Sequence, residues 1–213
     1  MKIRKDIKDF VSSLPSNITL VAATKYINSS LMKELYFNGI NNFGENRVDA
    51  FLEKYESLKQ LDIKWHFIGH LQRNKAKSII NKIDYLHSLD SLELAKIIQD
   101  KREKPLPTFI EVSINEEESK NGVKLNELDD FFTSIKKYDK IKIIGLMMMS
   151  IKYSDKDALI RQFKKLKETQ NYLQSKYKVD IPYLSVGMSD DYKEAISVGA
   201  THVRLGRILF IED

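Results

Sequence analysis

The stretch "YLSVGMSDDYKEAISVGATHVRLG", residues 183–206, contains one complete unit of the fold. Two short apolar runs, 183–188 and 201–206, flank a segment at 190–199 that has the apolar spacing of a helix. A strand, a helix and a second strand in direct succession favour two parallel strands with the helix packed on their face. The same alternation continues toward the N-terminus.

Further apolar runs are candidate strands at residues 18–24, 40–45, 65–69, 85–89, 108–113 and 143–149. Helical patterns lie between them at residues 29–39, which begin with a serine cap and stop at Gly39, and at 46–61, 90–102, 126–138 and 155–177. Each predicted strand is followed by a helix or a helix start, and an extra helix precedes the first strand. The pattern predicts an α/β protein, a (β/α)8 TIM-type barrel formed by one domain over residues 1–213. An open doubly wound sheet is the structural alternative.

The composition limits the classes of function. Of 213 residues, 42% are hydrophobic and 31% charged, as in a globular protein with a substantial core. The net charge of +5 comes from 35 basic and 30 acidic residues without a zinc-finger, RNP-type or arginine-rich pattern, so we expect no nucleic-acid binding. The chain has no cysteine, which excludes disulfides and thiolate chemistry. Without a membrane-length apolar run or a signal-peptide core, we expect a cytoplasmic protein with no membrane segment.

The first predicted strand, "ITLVAATKY" at 18–26, ends on Lys25. Lysine is seldom buried unless another group pairs or reacts with it, so the simplest interpretation is that the strand has ended in water. In a barrel, however, chemistry is found at the carboxyl ends of the strands. Lys25 is therefore a candidate reactive amine.

The last two strands end in "SVGMSDD" and "RLGR". Ser189 and the acidic residues after it are ordinary for a helix start. The backbone after Gly206 presents free N–H groups where a final helix begins, and barrel phosphate sites recur after strands seven and eight. A phosphate site opposite Lys25 indicates a phosphorylated carbonyl compound held as an imine.

Ordered motifs cover nearly the whole chain: "TKY" at 24–26, "FGENRV" at 43–48, "WHFIGHLQRNK" at 65–75, "HSLDS" at 87–91, "ESKNGV" at 118–123, "GLMMMS" at 145–150 and "LSVGMSDDYKEAISVGATHVRLGRILF" at 184–210. They resemble the motifs of the pyridoxal phosphate homeostasis protein family (the YggS/PROSC group), which shares the barrel of the alanine racemase N-terminal domain. The resemblance implies that the cofactor is pyridoxal 5'-phosphate (PLP) and that Lys25 forms the internal aldimine. It also implies a role in PLP buffering, storage or delivery without robust turnover.

The resemblance further implies contacts to the cofactor ring. Arg204 resembles the arginine that faces the pyridine nitrogen; the alternative is that it pairs with Asp190 or Asp191. Asn46 is expected to point at the cofactor or at Lys25, although a helix N-cap is an equally ordinary role. We expect enclosure in the barrel mouth and the charge of Arg204 to favour the neutral amine that attack on an aldehyde requires.

For the phosphate, we expect contacts from Ser189 and the backbone around Gly206 and Arg207, with Ser185 as a further contributor. Two departures from the family pattern affect the site. Tyr26 and the residue after it replace a proline commonly found soon after the lysine, which can loosen the loop. Arg207 replaces a threonine, so a cation stands where the family has a hydroxyl.

Other candidates have structural interpretations. His66 lies inside a strand and is at least as well explained as a satisfied core histidine as by a cofactor contact. His66 and His70 lack a carboxylate to complete a metal set, so we expect no zinc site. The methionines at 147–149 are expected to pack inside the barrel. Lys75 and the loop at 114–122 belong to the family motifs, but the sequence assigns them no contact.

Two other functions compete with cofactor homeostasis. A PLP-dependent racemase or decarboxylase needs a second base, and Tyr26 and Tyr192 are the tyrosines available. A class I aldolase needs an acid–base partner for its lysine, which the sequence does not supply. PLP-dependent apoenzymes are expected partners. We expect a monomer, because the C-terminal β-domain that builds dimers in related enzymes is not found.

Overall fold

A computed structural model describes residues 1–114, 121–151 and 155–211. Its strands are β1 (Lys2–Ile3), β2 (Thr19–Ala23), β3 (Asn42–Glu45), β4 (Lys64–Phe67), β5 (Tyr85–Leu89), β6 (Leu106–Ser113), β7 (Val123–Lys124), β8 (Ile141–Met147), β9 (Tyr183–Ser185), β10 (His202–Leu205) and β11 (Phe210–Ile211). Its α-helices are α1 (Ile7–Ser13), α2 (Ser29–Phe37), α3 (Val48–Leu58), α4 (Arg73–Ile79), α5 (Leu92–Lys101), α6 (Leu128–Ile135), α7 (Lys156–Tyr177) and α8 (Tyr192–Ser197).

Eight parallel strands form one closed barrel, in the order β2-β3-β4-β5-β6-β8-β9-β10. Pairing of β10 with β2 joins the last barrel strand to the first, and β5 pairs with β6, so the ring has no open edge. The predicted (β/α)8 barrel is confirmed, and the alternative of an open sheet is wrong. Helix α1 is the extra N-terminal helix.

Several local features differ from the sequence predictions. Asn28, and not a serine, caps α2: its side chain accepts the backbone N–H of Leu31 at 3.0 Å. Helix α4 follows β4, where the sequence predicts a helix start without giving the bounds of a helix. After β10 the chain makes a 3-10 turn at Arg207–Leu209 in place of a final helix, and β11 then pairs antiparallel with β1.

The main apolar core lies between the strands and the helices. Helix α6 shows the pattern: its buried residues Leu128, Phe131, Phe132 and Ile135 have the spacing that places apolar side chains on one face. Among the residues that the structure describes, no helix is both long enough and apolar enough to cross a membrane.

A buried ion pair joins β2, β3 and α3 behind the strand end that precedes Lys25. The Nζ of Lys54 donates to Oε2 of Glu45 at 2.5 Å and to the carbonyl oxygen of Thr24 at 2.7 Å. The Thr24 hydroxyl lies 3.0 Å from the same carboxylate oxygen, and the other one accepts the backbone N–H of Asn46 at 2.9 Å. Because all of these groups are matched, the backbone is fixed at the ends of both β2 and β3.

Replacing Lys54 by methionine leaves the carboxylate of Glu45 buried without its cation. We expect Lys54→Met to lower the free energy of unfolding by about 3–5 kcal/mol, measured by urea denaturation at pH 7. The matched control is Lys59→Met, which removes a lysine from an exposed pair with Glu56 and should change stability by less than about 1 kcal/mol. A Lys54→Met protein as stable as the control would contradict the role given to this pair.

Candidate functional site at the carboxyl end of the barrel

Two turns, after β9 and after β10, meet at the hydroxyl of Ser189. Its Oγ accepts the backbone N–H of Gly206 at 3.2 Å and that of Ile208 at 3.3 Å. Gly187 adopts the positive φ (+98°) that turns the chain toward Ser189, and a Cβ at this position would lie 2.8 Å from the Cβ of Ala195. The structure thus brings together the two turns that the sequence assigns to one phosphate site.

Arg207 contributes differently from the sequence expectation. Its guanidinium is bonded to the carboxylate of Asp190, and both side chains are largely exposed. Its backbone N–H has no hydrogen-bond partner among the described residues. A neighbouring carboxylate already neutralises the cation, so the backbone N–H is the group that Arg207 offers at this turn.

Arg204 is buried in β10 and reaches toward β9 and the segment after β8. Its Nη1 donates to the carbonyl oxygen of Ser185 at 2.7 Å and to the Oγ of Ser185 at 2.8 Å. Its Nη2 donates to the carbonyl oxygen of Met148 at 2.9 Å and lies 3.3 Å from the Sδ of Met149. Four contacts therefore hold the guanidinium in one orientation.

The alternative in which Arg204 pairs directly with an aspartate is wrong. Asp190 is bonded to Arg207, and Asp191 accepts a serine hydroxyl from the segment after β8 at 2.6 Å. Burial lowers the pKa of Arg204 to about 10, although the negative charges of Glu111 and Asp191 act in the opposite direction. The two carboxylates therefore affect the pKa of Arg204 through space, without a hydrogen bond to its guanidinium.

One N–H group of Arg204 has no hydrogen-bond partner among the described residues. A guanidinium carries five N–H groups and no acceptor. The two on Nη1 and the two on Nη2 are used in the contacts with Ser185, Met148 and Met149. No bond within the described parts of the chain involves Nε, so the Nε–H is the one group that Arg204 can offer to a ligand.

A chain of hydrogen bonds crosses the barrel interior from Ser185 to β3. The Oγ of Ser185 lies 2.7 Å from Nδ1 of His87, Nε2 of His87 lies 2.8 Å from Nδ1 of His66, and Nε2 of His66 lies 2.9 Å from Oδ1 of Asn42. Burial lowers the pKa of both histidines well below the ordinary value, which keeps both rings neutral at pH 7. The interpretation of His66 as a satisfied core histidine is confirmed.

Ser185 belongs to this interior chain. Its hydroxyl is fully buried and is bonded to both His87 and Arg204. A serine hydroxyl has one hydrogen to donate, and that hydrogen is used when Nδ1 of His87 is the acceptor. We therefore place Ser185 beneath Arg204 as a support and do not retain it as a phosphate contact.

Lys25 and Asn46 follow the neighbouring strands β2 and β3. Lys25 is exposed, and its Nζ lies 4.8 Å from the ring centroid of Tyr26, so the enclosure expected from the sequence is not found. Oδ1 of Asn46 is buried and has no hydrogen-bond partner within the described residues. Asn46 is not the N-cap of α3; Arg47 holds that position without a side-chain bond. A side chain at Gly69 would overlap the Asn46 backbone, which requires glycine there.

Buried polar groups need partners, so the unpartnered oxygen of Asn46 is a sign of a missing ligand. The same end of the barrel offers the Nε–H of Arg204, the N–H groups held by Ser189 and the amine of Lys25. In that order, these groups can donate to an acceptor on a ring, donate to an anion and attack a carbonyl carbon. The residues present fit a phosphorylated aromatic aldehyde.

A cavity of about 650 Å³ opens at the carboxyl ends of β4 and β5. His70 and Asp90 line it and are bonded to each other at 2.9 Å, from Nδ1 to Oδ2.

Lys75, which the sequence left without a contact, pairs with Asp49 at 2.9 Å. Most of the predicted loop at 114–122 lies outside the described residues. In the described part of the chain, no group of three or more His, Asp or Glu side chains is placed to hold a metal ion.

Sequence reasoning missed three contributors to the site. Lys54 lies three residues after Phe51 and four before Leu58, on the buried face of α3, which was a usable signal. His87 lies in the motif "HSLDS", but nothing in that motif indicates a partner on β9. Met149 is half exposed and contacts Arg204, although its neighbours in "MMM" pack inside as predicted.

Comparison with known proteins agrees with this geometry. The model of the family "Alanine racemase, N-terminal domain" matches residues 5–213. The pyridoxal phosphate homeostasis protein of Aquifex aeolicus is 41% identical over 196 residues, which cover 91% of this chain and 86% of that protein. The protein of the same name from Escherichia coli K12 is 34% identical over 205 residues, with 92% and 86% covered.

Solved structures of other proteins share this fold. PipY of Synechococcus elongatus PCC7942 with PLP bound has a TM-score of 0.89 at 27% identity, over 96% of this chain and 100% of that one. Alanine racemase from Corynebacterium glutamicum has a TM-score of 0.79 at 15% identity, over 100% of this chain and 63% of that one, and shows the likeness of the fold alone. The chain therefore belongs to the pyridoxal phosphate homeostasis protein family, within the wider family of the alanine racemase N-terminal domain.

Proposed function

We propose that the protein binds PLP covalently on Lys25 in the cytoplasm and buffers, stores or delivers it without robust turnover. The observation that carries this proposal is the hydroxyl of Ser189, which joins the turns after β9 and β10 by accepting the backbone N–H groups of Gly206 and Ile208. The names of the relatives and the PLP bound in PipY support it. Delivery to apoenzymes and a monomeric state stay predictions.

The phosphate is the anchor of the proposed complex. The N–H groups of Gly206 and Ile208 now meet a neutral hydroxyl, and a phosphate oxygen is a stronger acceptor because it is charged. Ser189 can then donate its own hydrogen to the phosphate. The backbone N–H of Arg207, which has no partner within the described parts of the chain, adds a further donor, whereas its side chain is already paired with Asp190.

Arg204 sets the electronic character of the site. PLP, when bound, supplies an aldehyde that reacts with amines and a ring that takes up electrons. The Nε–H of Arg204 can only donate, because a guanidinium does not give up its proton at neutral pH. A ring nitrogen that accepts from this group stays unprotonated and draws electrons weakly, which favours retention of the cofactor over carbanion chemistry.

Lys25 is the proposed point of attachment. Its exposed Nζ is accessible to an aldehyde; the neutral amine adds to the carbonyl carbon, a C=N bond forms and the carbonyl oxygen leaves as water. The buried pair of Glu45 and Lys54 fixes the strand end from which Lys25 projects. Asn46, on the adjacent strand end, offers its unpartnered Oδ1 to the cofactor or to Lys25.

Racemase or decarboxylase activity is the alternative function. The structure argues against one of its two candidate bases, Tyr192. Tyr192 is buried in α8 and packs edge-on against Phe10, with ring centroids 6.1 Å apart. Tyr26 does lie beside Lys25. The alternative function therefore depends on Tyr26 as its second base.

Borohydride reduction tests the attachment. The protein with PLP should be yellow, and reduction should fix the cofactor on Lys25, as read by mass spectrometry of a digest. Lys25→Ala should lose the absorbance band while keeping its thermal stability, because this side chain is exposed. It should keep some affinity through the phosphate contacts. An adduct on Lys54 or another lysine would overturn the assignment.

Substitution of Ser189 tests the phosphate contacts. Ser189→Ala should weaken PLP binding by about 1.5–3 kcal/mol, the worth of a charge-assisted hydrogen bond. Pyridoxal, which lacks the phosphate, should lose no such affinity. Arg207→Ala should have an effect of less than about 1 kcal/mol because its guanidinium is exposed and paired. The matched control is Ser197→Ala, at an exposed position on α8. Equal losses for PLP and pyridoxal in Ser189→Ala would contradict the contact.

A further inference from the structure

We infer that His87 is a positioning residue for Arg204, acting through Ser185 and supported by His66. The three side chains are fully buried, and their hydrogen bonds connect Arg204 to Asn42 through the barrel interior. The inference rests on the proposed function, because it concerns the orientation of the donor that Arg204 offers to the PLP ring.

The direction of each hydrogen bond between Asn42 and Ser185 follows from the orientation of the Asn42 amide. The Nδ2 of Asn42 donates to Oδ1 of Asn41 at 2.9 Å, so its own Oδ1 faces His66 and can only accept. Nε2 of His66 must therefore carry the hydrogen. A neutral ring has one N–H, which makes Nδ1 of His66 an acceptor.

The bonds closer to the site are fixed in the same way. Nδ1 of His66 accepts the Nε2–H of His87, so Nδ1 of His87 is again an acceptor. The only hydrogen within reach of that nitrogen in the interior chain is the hydroxyl hydrogen of Ser185, at an Oγ–Nδ1 distance of 2.7 Å. The hydroxyl of Ser185 is thereby held in one rotamer, with its hydrogen on His87 and its lone pairs toward Arg204.

The orientation of the Ser185 hydroxyl matters because the guanidinium of Arg204 can only donate hydrogen bonds. Its Nη1 needs an acceptor at Ser185 Oγ, and only a hydroxyl whose hydrogen is occupied elsewhere presents its lone pairs reliably. Without the acceptor on His87, the hydroxyl is free to rotate, and its hydrogen can turn toward Nη1. The guanidinium then loses one of four restraints, and the Nε–H, whose bond to the ring is directional, is aimed less well.

The effect is measured with two ligands that differ at one atom. PLP and 1-deazapyridoxal 5'-phosphate, in which a C–H group replaces the ring nitrogen, are titrated into each protein. The wild-type protein should prefer PLP by about 10- to 100-fold, the worth of a hydrogen bond to a charged donor. His87→Leu and Ser185→Ala should reduce this preference by about 3- to 10-fold, the worth of one neutral hydrogen bond.

Matched variants separate positioning from packing. His87→Asn keeps an acceptor near the place of Nδ1 and should restore most of the preference that His87→Leu loses. His202→Leu removes another buried imidazole, whose ring lies 6.1 Å from that of His87 but outside the chain, and should leave the ratio of the two affinities unchanged. Thermal melts verify that each variant is folded. If His87→Leu is not folded, Ser185→Ala, the smallest change, tests the inference in its place.

The outcomes distinguish the inference from the proposed function. A wild-type protein that binds PLP without preferring it over the deaza analogue contradicts the contact between Arg204 and the ring nitrogen. A wild-type preference that survives in both His87→Leu and Ser185→Ala leaves that contact in place and overturns the positioning role alone. A wild-type preference that falls in these two variants, returns in His87→Asn and is unaffected in His202→Leu supports the inference.

Discussion

A guanidinium taken out of water must find an acceptor for nearly every N–H group, and Arg204 imposes this requirement on the mouth of the barrel. The carbonyl oxygens of Ser185 and Met148, the hydroxyl of Ser185 and the sulfur of Met149 meet it from β9 and from the segment after β8. Because these acceptors come from separate parts of the chain, the barrel must close before Arg204 is satisfied. The Nε–H, which has no partner among the residues that the structure describes, is the group that we propose meets the ligand.

The other groups of the site are held by simpler means. Ser189 joins two turns by accepting two backbone N–H groups. The pair of Glu45 and Lys54 fixes the strand ends below Lys25 and Asn46. In the proposed site, Ser189 and the neighbouring backbone supply an anion contact, Lys25 supplies an amine and Arg204 supplies one restrained donor. In our account the donor decides function, since it keeps the cofactor ring a weak electron acceptor.

Much of the fold could be predicted from the sequence, because strand and helix periodicities are local. The sequence also indicates Lys25 and Ser189, since each follows a strand whose end faces the same side, whereas Arg204 is implied by the family resemblance. The 3-10 turn after Gly206 and the contact between β1 and β11 were not predictable, because they involve very short segments. The partnership of His87 with Ser185 joins positions far apart in the chain, and only closure of the barrel brings them together. The exposure of Lys25 likewise depends on how neighbouring loops pack.

The central claim is that Arg204 donates to the ring nitrogen and leaves it unprotonated. The most direct measurement is the nitrogen-15 chemical shift of PLP labelled at the ring nitrogen, bound to the protein at neutral pH and compared with free pyridine and pyridinium standards. Our account predicts the shift of an unprotonated nitrogen that accepts a hydrogen bond, and a change in that shift when Arg204 is replaced by lysine. A pyridinium shift in the wild-type protein would contradict it.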